Sequence, residues 1–282
     1  MNDAQVEHFF ATLQAANPQP LSELRYTSVF ELLVAVMLSA QATDASVNRA
    51  TRALFAAAPT PARLLALGAG GVEPYIRTIG LYRNKARNLV ATCAILLDEH
   101  GGQVPRTRAQ LERLPGVGRK TANVVLNVAF GEPTFAVDTH VFRVANRTGL
   151  APGRTPLAVE LGLQARVPVP YRVDAHHWLI LHGRYVCVAR NPHCSTCAVR
   201  VDCDAQQPAR AGSTSSRLSR TSSARWSSHT NTPGQVRPAQ NRLLATRFSW
   251  PPANALNRLI SAESSGLLST RLFRMLPGKS AR

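Results

Sequence analysis

The segment 114-LPGVGRKTANVVLNVAF-130 decides how the rest of the chain is read. A proline and two glycines precede an apolar run with helical spacing, and Arg119 and Lys120 stand where that helix should begin. Helices ordinarily open with Ser, Thr, Asp or Asn and carry acids in the first turn, because the amides there are unpaired and partly positive. Two cations at that end run against the rule. Pro115, Gly116 and Gly118 account for half of the conflict. They predict a tight hairpin between a short helix near 108–113 and the long run from Arg119, with glycine reaching positive φ where the turn needs it. The amides of the turn and of the first helical residues then point outward and form an anion site suited to phosphate.

Lys120 is the sharper signal. Beside Arg119, in the positive field of a helix start, it is disfavoured as a cation. A neutral amine is a nucleophile that forms a Schiff base with an aldehyde-like carbon; a plain phosphate contact is the simpler role. Helical spacing places Asn123 and Val124 on the same face. Asp138 follows in 136-AVDTHVFRVANR-147, after the loop 131-GEPTF-135. A carboxylate there suits three roles: deprotonating the amine, stabilising a developing sugar cation, or capping the next helix. A Lys–Asp pair across a phosphate-gripping hairpin reads as sugar chemistry on a nucleic-acid backbone.

Outward from this centre, residues 1–204 read as all-α. Helical periodicity predicts helices over roughly 3–16, 29–38, 43–57, 82–99, 118–130, 137–148, 156–166 and 171–187. Asn17-Pro18, Pro59-Thr60-Pro61, the run from Gly68 to Gly71, Gly101-Gly102 and Pro152-Gly153 punctuate them. No run alternates with period two for long enough to argue a sheet.

The formal net charge of +17 over 282 residues, with a pI near 11.1, points to a polyanionic partner. Twelve of the 33 Lys and Arg lie after residue 204, against one acid, Glu263, so the tail carries +11 and the front only +6. The tail contains 212-GSTSSRLSRTSSARWSSHTNTPGQVRPAQ-240, a Ser/Arg/Thr-rich stretch without periodicity for which disorder is the expectation. It reads as a nucleic-acid-binding arm or as an extension without a defined task. The longest apolar stretch, Leu32 to Leu38, is far short of the ~20 residues of a membrane span. The first ten residues, MNDAQVEHFF, do not read as a signal peptide, so a cytoplasmic protein is expected.

Cys187, Cys194, Cys197 and Cys203 fall in 187-CVARNPHCSTCAVRVDC-203 with spacing C-x6-C-x2-C-x5-C. Four thiols this close argue for a metal or cluster site. Structural zinc usually draws on two tight pairs, and only Cys194 and Cys197 form one. The wider spacing suits the larger span of an iron–sulfur cube. Arg190 and His193 within the loop, flanked by Arg184 and Arg200, predict a basic knob that faces phosphate. Cys93 stands alone in a helical stretch as a small core residue.

Together these segments, with LLVAVMLSAQATDASVN, IRTIGLYRNKARNL and HHWLILHGRYVC, resemble the bacterial endonuclease III family of helix-hairpin-helix DNA glycosylases over about residues 1–204. The resemblance implies two helical domains flanking a DNA-binding cleft: a six-helix domain over 22–132, and a second built from 1–21 plus 133–204 that carries a [4Fe–4S] cluster on the four cysteines. Residues 205–282 have no counterpart. It further implies a base-excision-repair enzyme, monomeric and nucleoid-associated, acting on double-stranded DNA with oxidised pyrimidines or abasic sites. Lys120 would attack C1′, displace the base and cut the strand by β-elimination, with Asp138 assisting. Gln41 would fill the space left by the flipped nucleotide and Leu81 would wedge the stack. Leu114, Gly116, Val117, Gly118 and Arg119 of the hairpin, with Arg190 and His193, would face DNA. The adenine glycosylase of the same superfamily shares the hairpin, aspartate and cluster but lacks the lysine. A noncatalytic iron–sulfur DNA-binding module is the reading from another class.

Overall fold

The computed structural model describes residues 1–206. The basic tail beyond them, including the stretch expected to lack structure, lies outside the described residues. Ten α-helices run in chain order: α1 Asp3–Ala16, α2 Val29–Leu38, α3 Asp44–Ala57, α4 Pro61–Ile76, α5 Tyr82–His100, α6 Arg108–Glu112, α7 Arg119–Phe130, α8 Thr139–Thr148, α9 Pro156–Arg166 and α10 Arg172–Tyr185. Three short 3-10 turns follow through the cysteine segment. The described residues contain no strand, and none of their helices is long and apolar enough to cross a membrane.

Seven of the helix starts follow the capping rules. Asn2, Ser28, Thr43, Thr60, Thr107, Asp138 and Thr155 each accept a backbone N–H from the first turn through a side-chain oxygen. The starts of α5, α7 and α10 have no such bond. Two of these three carry residues singled out from the sequence, Leu81 and Lys120.

Helix α4 was not anticipated. Thr60 caps it and Pro61 takes the first turn, where a missing N–H costs nothing. Gly68, at φ 63 and ψ 172, then breaks it into two pieces across a kink. The glycines read as punctuation are a bend inside a helix that packs on α5.

Two hydrophobic clusters organise the chain. One gathers buried residues between Phe30 and Leu126, with α2 at its centre: every residue of α2 except Val29 is buried. The other joins Val6, Phe9, Phe10 and Leu13 of α1 to residues between Phe135 and Val199. The N-terminal helix therefore packs on the C-terminal helices. Phe9 meets Phe10 edge-on at 5.3 Å, Phe10 stacks on Tyr171 at 5.8 Å, and Trp178 Nε1 donates to the Asn17 carbonyl at 2.8 Å. Cys93 is a buried member of the first cluster, and burial pushes its thiol up to about 12. Phe9 has no exposed surface, so Phe9→Ala should lower the unfolding free energy by about 3–5 kcal/mol. In hydrogen exchange the amides of α1 should lose protection first; an unchanged urea midpoint would contradict this packing.

Candidate active site

Lys120 lies in the first turn of α7 and Asp138 caps α8, and both line one pocket. The connection between them is held internally. Asn123 Nδ2 donates to the Phe135 carbonyl at 3.0 Å, and the Thr134 hydroxyl donates to the Asn123 carbonyl at 2.7 Å. Asn127 Nδ2 donates to the carbonyls of Glu132 and Val173 at 3.0 and 2.9 Å. Val124 lines the pocket beside Lys120 as the helical spacing suggested, whereas Asn123 is buried and fixes the loop.

The carboxylate of Asp138 divides its work. Oδ1 accepts from the amides of His140 and Val141, both at 2.8 Å, and Oδ2 makes no bond among the described residues. The capping role is real and leaves one oxygen free. The Lys120 side chain is exposed and its amine has no hydrogen bond or ion pair among the described residues. The pocket is completed by Leu21 to Leu24, Ser39, Asp44 and the α10 face of His176, His177, Ile180 and Arg184.

His176 is 1 % exposed, with an unpartnered Nδ1. Burial, with smaller contributions from His177 and Lys120, pushes it down to about 3. Arg184, expected beside the cysteine knob, instead pairs with Asp44 at 2.7 Å and with Glu23 in the pocket wall. Tyr185 also donates to Glu23.

The hairpin amides are partly committed. The Val117 N–H donates to the Leu114 carbonyl at 3.0 Å, and the side chains of Leu114 and Val117 are 1 % and 5 % exposed. These two residues shape the turn from within the core. The amides of Gly116, Gly118, Arg119, Lys120 and Thr121 have no acceptor among the described residues, which leaves the helix start open to an anion. Gly116 sits at φ 80, and a Cβ there would come within 2.7 Å of Asn88 Nδ2.

Arg119 is not a free cation. Its Nε and NH2 bind the two oxygens of Glu160 on α9 at 2.8 and 2.9 Å, and Arg108 approaches the same carboxylate at 3.6 Å. Glu160 is buried, and the hydrogen bond to it raises the Arg119 pKa further. The sequence reading gave this guanidinium to the phosphate field. The geometry gives it to a bridge between the two clusters.

Gln41 and Leu81 share an uncommon backbone. Only three non-glycine residues among those described have positive φ: Gln41 at 57°, Leu81 at 59° and Asn191 at 51°. For a leucine this costs on the order of 1–3 kcal/mol and usually marks a functional constraint. Both side chains are exposed, Leu81 to 64 %. Lys85, which nothing in the spacing flagged, donates to the carbonyls of Leu38 and Ala40 at 2.9 and 2.6 Å, directly before Gln41.

Comparison with known proteins supplies the family and the fold. Residues 34–168 match the model of the HhH-GPD superfamily of base excision DNA repair proteins. Endonuclease III of Escherichia coli K12 is 58% identical over 204 residues, which cover 72% of this chain and 97% of that protein. The Treponema pallidum enzyme is 56% identical over 198 residues, 70% of this chain and 94% of its own. The chain belongs to the endonuclease III family. A solved structure of a trapped endonuclease III–DNA covalent intermediate superposes with a TM-score of 0.69 at 44% identity, covering 73% of this chain and 97% of that one. A thermostable thymine-DNA glycosylase, at 23% identity and a TM-score of 0.64, shares the fold.

The cysteine segment of this endonuclease III relative is stapled to α8. Arg143 donates to the Cys187 and Gly183 carbonyls at 2.9 and 2.6 Å. One turn later, Arg147 donates to the Val188 carbonyl at 2.9 Å and to Cys187 Sγ at 3.5 Å. The i, i+4 spacing of these arginines is the sequence signal for this contact. Cys187, Cys194, Cys197 and Cys203 are all free thiols and line one small cavity. Among the described residues no three His, Cys, Asp or Glu side chains converge on a single-ion site. Arg190 is exposed and unpaired among the described residues, and His193 is exposed at the cavity rim.

Two outcomes follow for this site. A histidine held neutral in the fold contributes stability that is complete above the unfolded pKa near 6.5 and is lost as pH falls toward 3. Between pH 7.5 and 5.0, His176 should therefore cost about 2 kcal/mol of stability. Urea titrations of wild type and His176→Gln should differ in pH slope by that amount, and parallel slopes would remove the assignment. Gly116→Ala should weaken binding to short duplex DNA by at least tenfold while the protein stays folded. Unaltered affinity in a fluorescence titration would show the turn to be irrelevant to DNA.

Proposed function

We propose that Lys120 is the nucleophile of this base-excision-repair DNA glycosylase and abasic-site lyase, with Asp138 as its acid–base partner. One observation carries this reading: an amine and a carboxylate, each with unspent bonding capacity, line the same pocket at the starts of two consecutive long helices. The substrate class we propose is double-stranded DNA containing an oxidised pyrimidine or an abasic site. The DNA face comprises Gln41, Leu81, the open amides around Gly116 and Gly118, and the exposed Arg190 and His193. Leu114 and Val117 contribute the shape of the turn, and Arg119 its anchorage.

The steps follow from the groups available. The damaged nucleotide leaves the stack, since C1′ is out of reach inside a duplex. Gln41 and Leu81 occupy the vacated space. The free oxygen of Asp138 takes a proton from the Lys120 ammonium, and the amine lone pair attacks C1′ as the C1′–base bond breaks. The departing base takes up a proton. The nitrogen lone pair then opens the sugar ring, breaking the C1′–O4′ bond as O4′ takes up a proton. The resulting protonated imine acidifies C2′, and loss of that C2′ proton expels the 3′ phosphate as the C3′–O bond breaks. Water hydrolyses the imine to release the lysine.

The four cysteines are proposed as the thiolate ligands of a [4Fe–4S] cluster, and the ring of free thiols around one cavity fits that donor set. When bound, such a cluster would supply four bonds that fix the basic loop, a structural contribution. The two hydrophobic clusters support a division into a lobe over 22–132 and a second over 1–21 plus 133–204. The enzyme is proposed to act as a monomer.

Borohydride added during turnover on a duplex with one oxidised pyrimidine should leave protein covalently joined to DNA. The adduct should disappear in Lys120→Ala. Asp138→Asn should lower the single-turnover rate by 10²-fold or more with DNA affinity changed less than threefold. An undiminished adduct in Lys120→Ala would overturn the assignment.

A further inference from the structure

One face of α5 meets the Gln41 turn, the Leu81 cap and the Pro115–Gly116 hairpin of the proposed DNA face. Leu81 is its N-cap, with an exposed side chain. One turn on, the Lys85 amide donates to the Leu81 carbonyl at 3.0 Å, while the Lys85 ammonium donates to the Leu38 and Ala40 carbonyls. A further turn on, Asn88 lies under Gly116. The next turn brings Thr92, whose hydroxyl donates to the Pro115 carbonyl at 3.2 Å. The positions 81, 85, 88 and 92 recur at helical spacing and share one side.

Of these, Lys85 has the least ordinary surroundings. It is half-buried, and no carboxylate pairs with it among the described residues. Its partners are two main-chain oxygens, one of them the last carbonyl of α2, where the helix field favours a cation. Desolvation lowers its pKa. A lysine in such a place serves geometry. The turn it grips closes through the Ala42 amide and the Ser39 carbonyl at 3.0 Å, and that turn holds Gln41 at positive φ.

We infer that Lys85 is a positioning residue that couples the Gln41 turn to the Leu81 cap, so that both side chains enter the duplex as one rigid pair. This rests on the proposed reading of Gln41 and Leu81 as the groups that replace the flipped nucleotide. Lys85 touches neither substrate nor reacting atoms. Its effect is confined to the step in which a paired base is driven out of the stack, and it vanishes where no stack must be opened.

The test compares two substrates under single-turnover conditions with the full chain. One is a duplex with a single oxidised pyrimidine opposite its normal partner; the other carries the same lesion inside a bubble of mismatches. Lys85→Met keeps an unbranched stem one atom shorter and removes the donors. It should slow processing of the paired lesion at least tenfold and of the bubble less than twofold. The fluorescence of a base analogue beside the lesion should show the loss in the unstacking phase. Lys85→Arg should recover part of the paired rate. Leu81→Ala is the control, and the double variant Lys85→Met/Leu81→Ala should lose no more than the worse single change, since both act on one element. Equal slowing on both substrates, an unslowed paired lesion, or additive losses in the double variant would overturn the inference. If Leu81→Ala itself leaves the paired rate unchanged, the wedge reading fails, and Lys85 with it. If Leu81→Ala slows that rate and Lys85→Met does not, only the coupling falls.

Discussion

The proposed chemistry depends first on how the chain passes from Lys120 to Asp138. Those residues head two separate helices, and nothing in helix formation alone would bring their side chains to one pocket. Asn123, Asn127 and Thr134 do this with hydrogen bonds to main-chain carbonyls, so that the loop after α7 has one path. Buried amide groups of this kind are costly when unmet and strongly directional when met. They convert a flexible seven-residue link into a fixed offset between amine and carboxylate. Apolar packing by Phe135 to Val137 seals it from the other side.

A second constraint is electrostatic. The helix that carries Lys120 begins with cations, without a side-chain cap. Arg119 escapes the mismatch by turning to Glu160, which leaves the open amides and Lys120 as the positive features facing out. Because Arg119 and Arg108 remain partly solvated, this triad contributes less than a fully buried pair would. Its use is orientation: α9 belongs to one hydrophobic cluster and α6 and α7 to the other, and the triad sets their register.

Much of this was legible in the sequence. Helical periodicity located eight of the ten helices and the short α6 followed from the hairpin, because amphipathic spacing and capping residues act locally. Helix α4 was lost because glycines at 68, 70 and 71 mimic a loop, and only tertiary packing on α5 restores a helix there. The proposed reactive pair and the four cysteines stand out through spacing and residue type, and they line one pocket and one cavity respectively. Arg119 and Arg184 were misplaced, since a cation in sequence does not announce which distant carboxylate will claim it. Lys85 left no trace at all: its partners are carbonyls, which every residue has. Leu114 and Val117 belong to the same lesson, for a motif residue can serve a turn with its side chain turned inward.

Helix α5 has a further consequence. Its residues at 81, 85, 88 and 92 span about 16 Å along the axis at 1.5 Å per residue: Leu81 forms the cap, Lys85 addresses the Gln41 turn, and Asn88 and Thr92 address the hairpin. The helix works as a ruler whose graduations are side chains. A substitution blurs one mark and leaves the others in place. Inserting or deleting a single residue between Lys85 and Asn88 turns every later mark by about 100°, so Asn88 and Thr92 would face away from the hairpin while Leu81 and Lys85 stayed put. Variation in this enzyme is therefore far more tolerable in the identity of α5 residues than in their number.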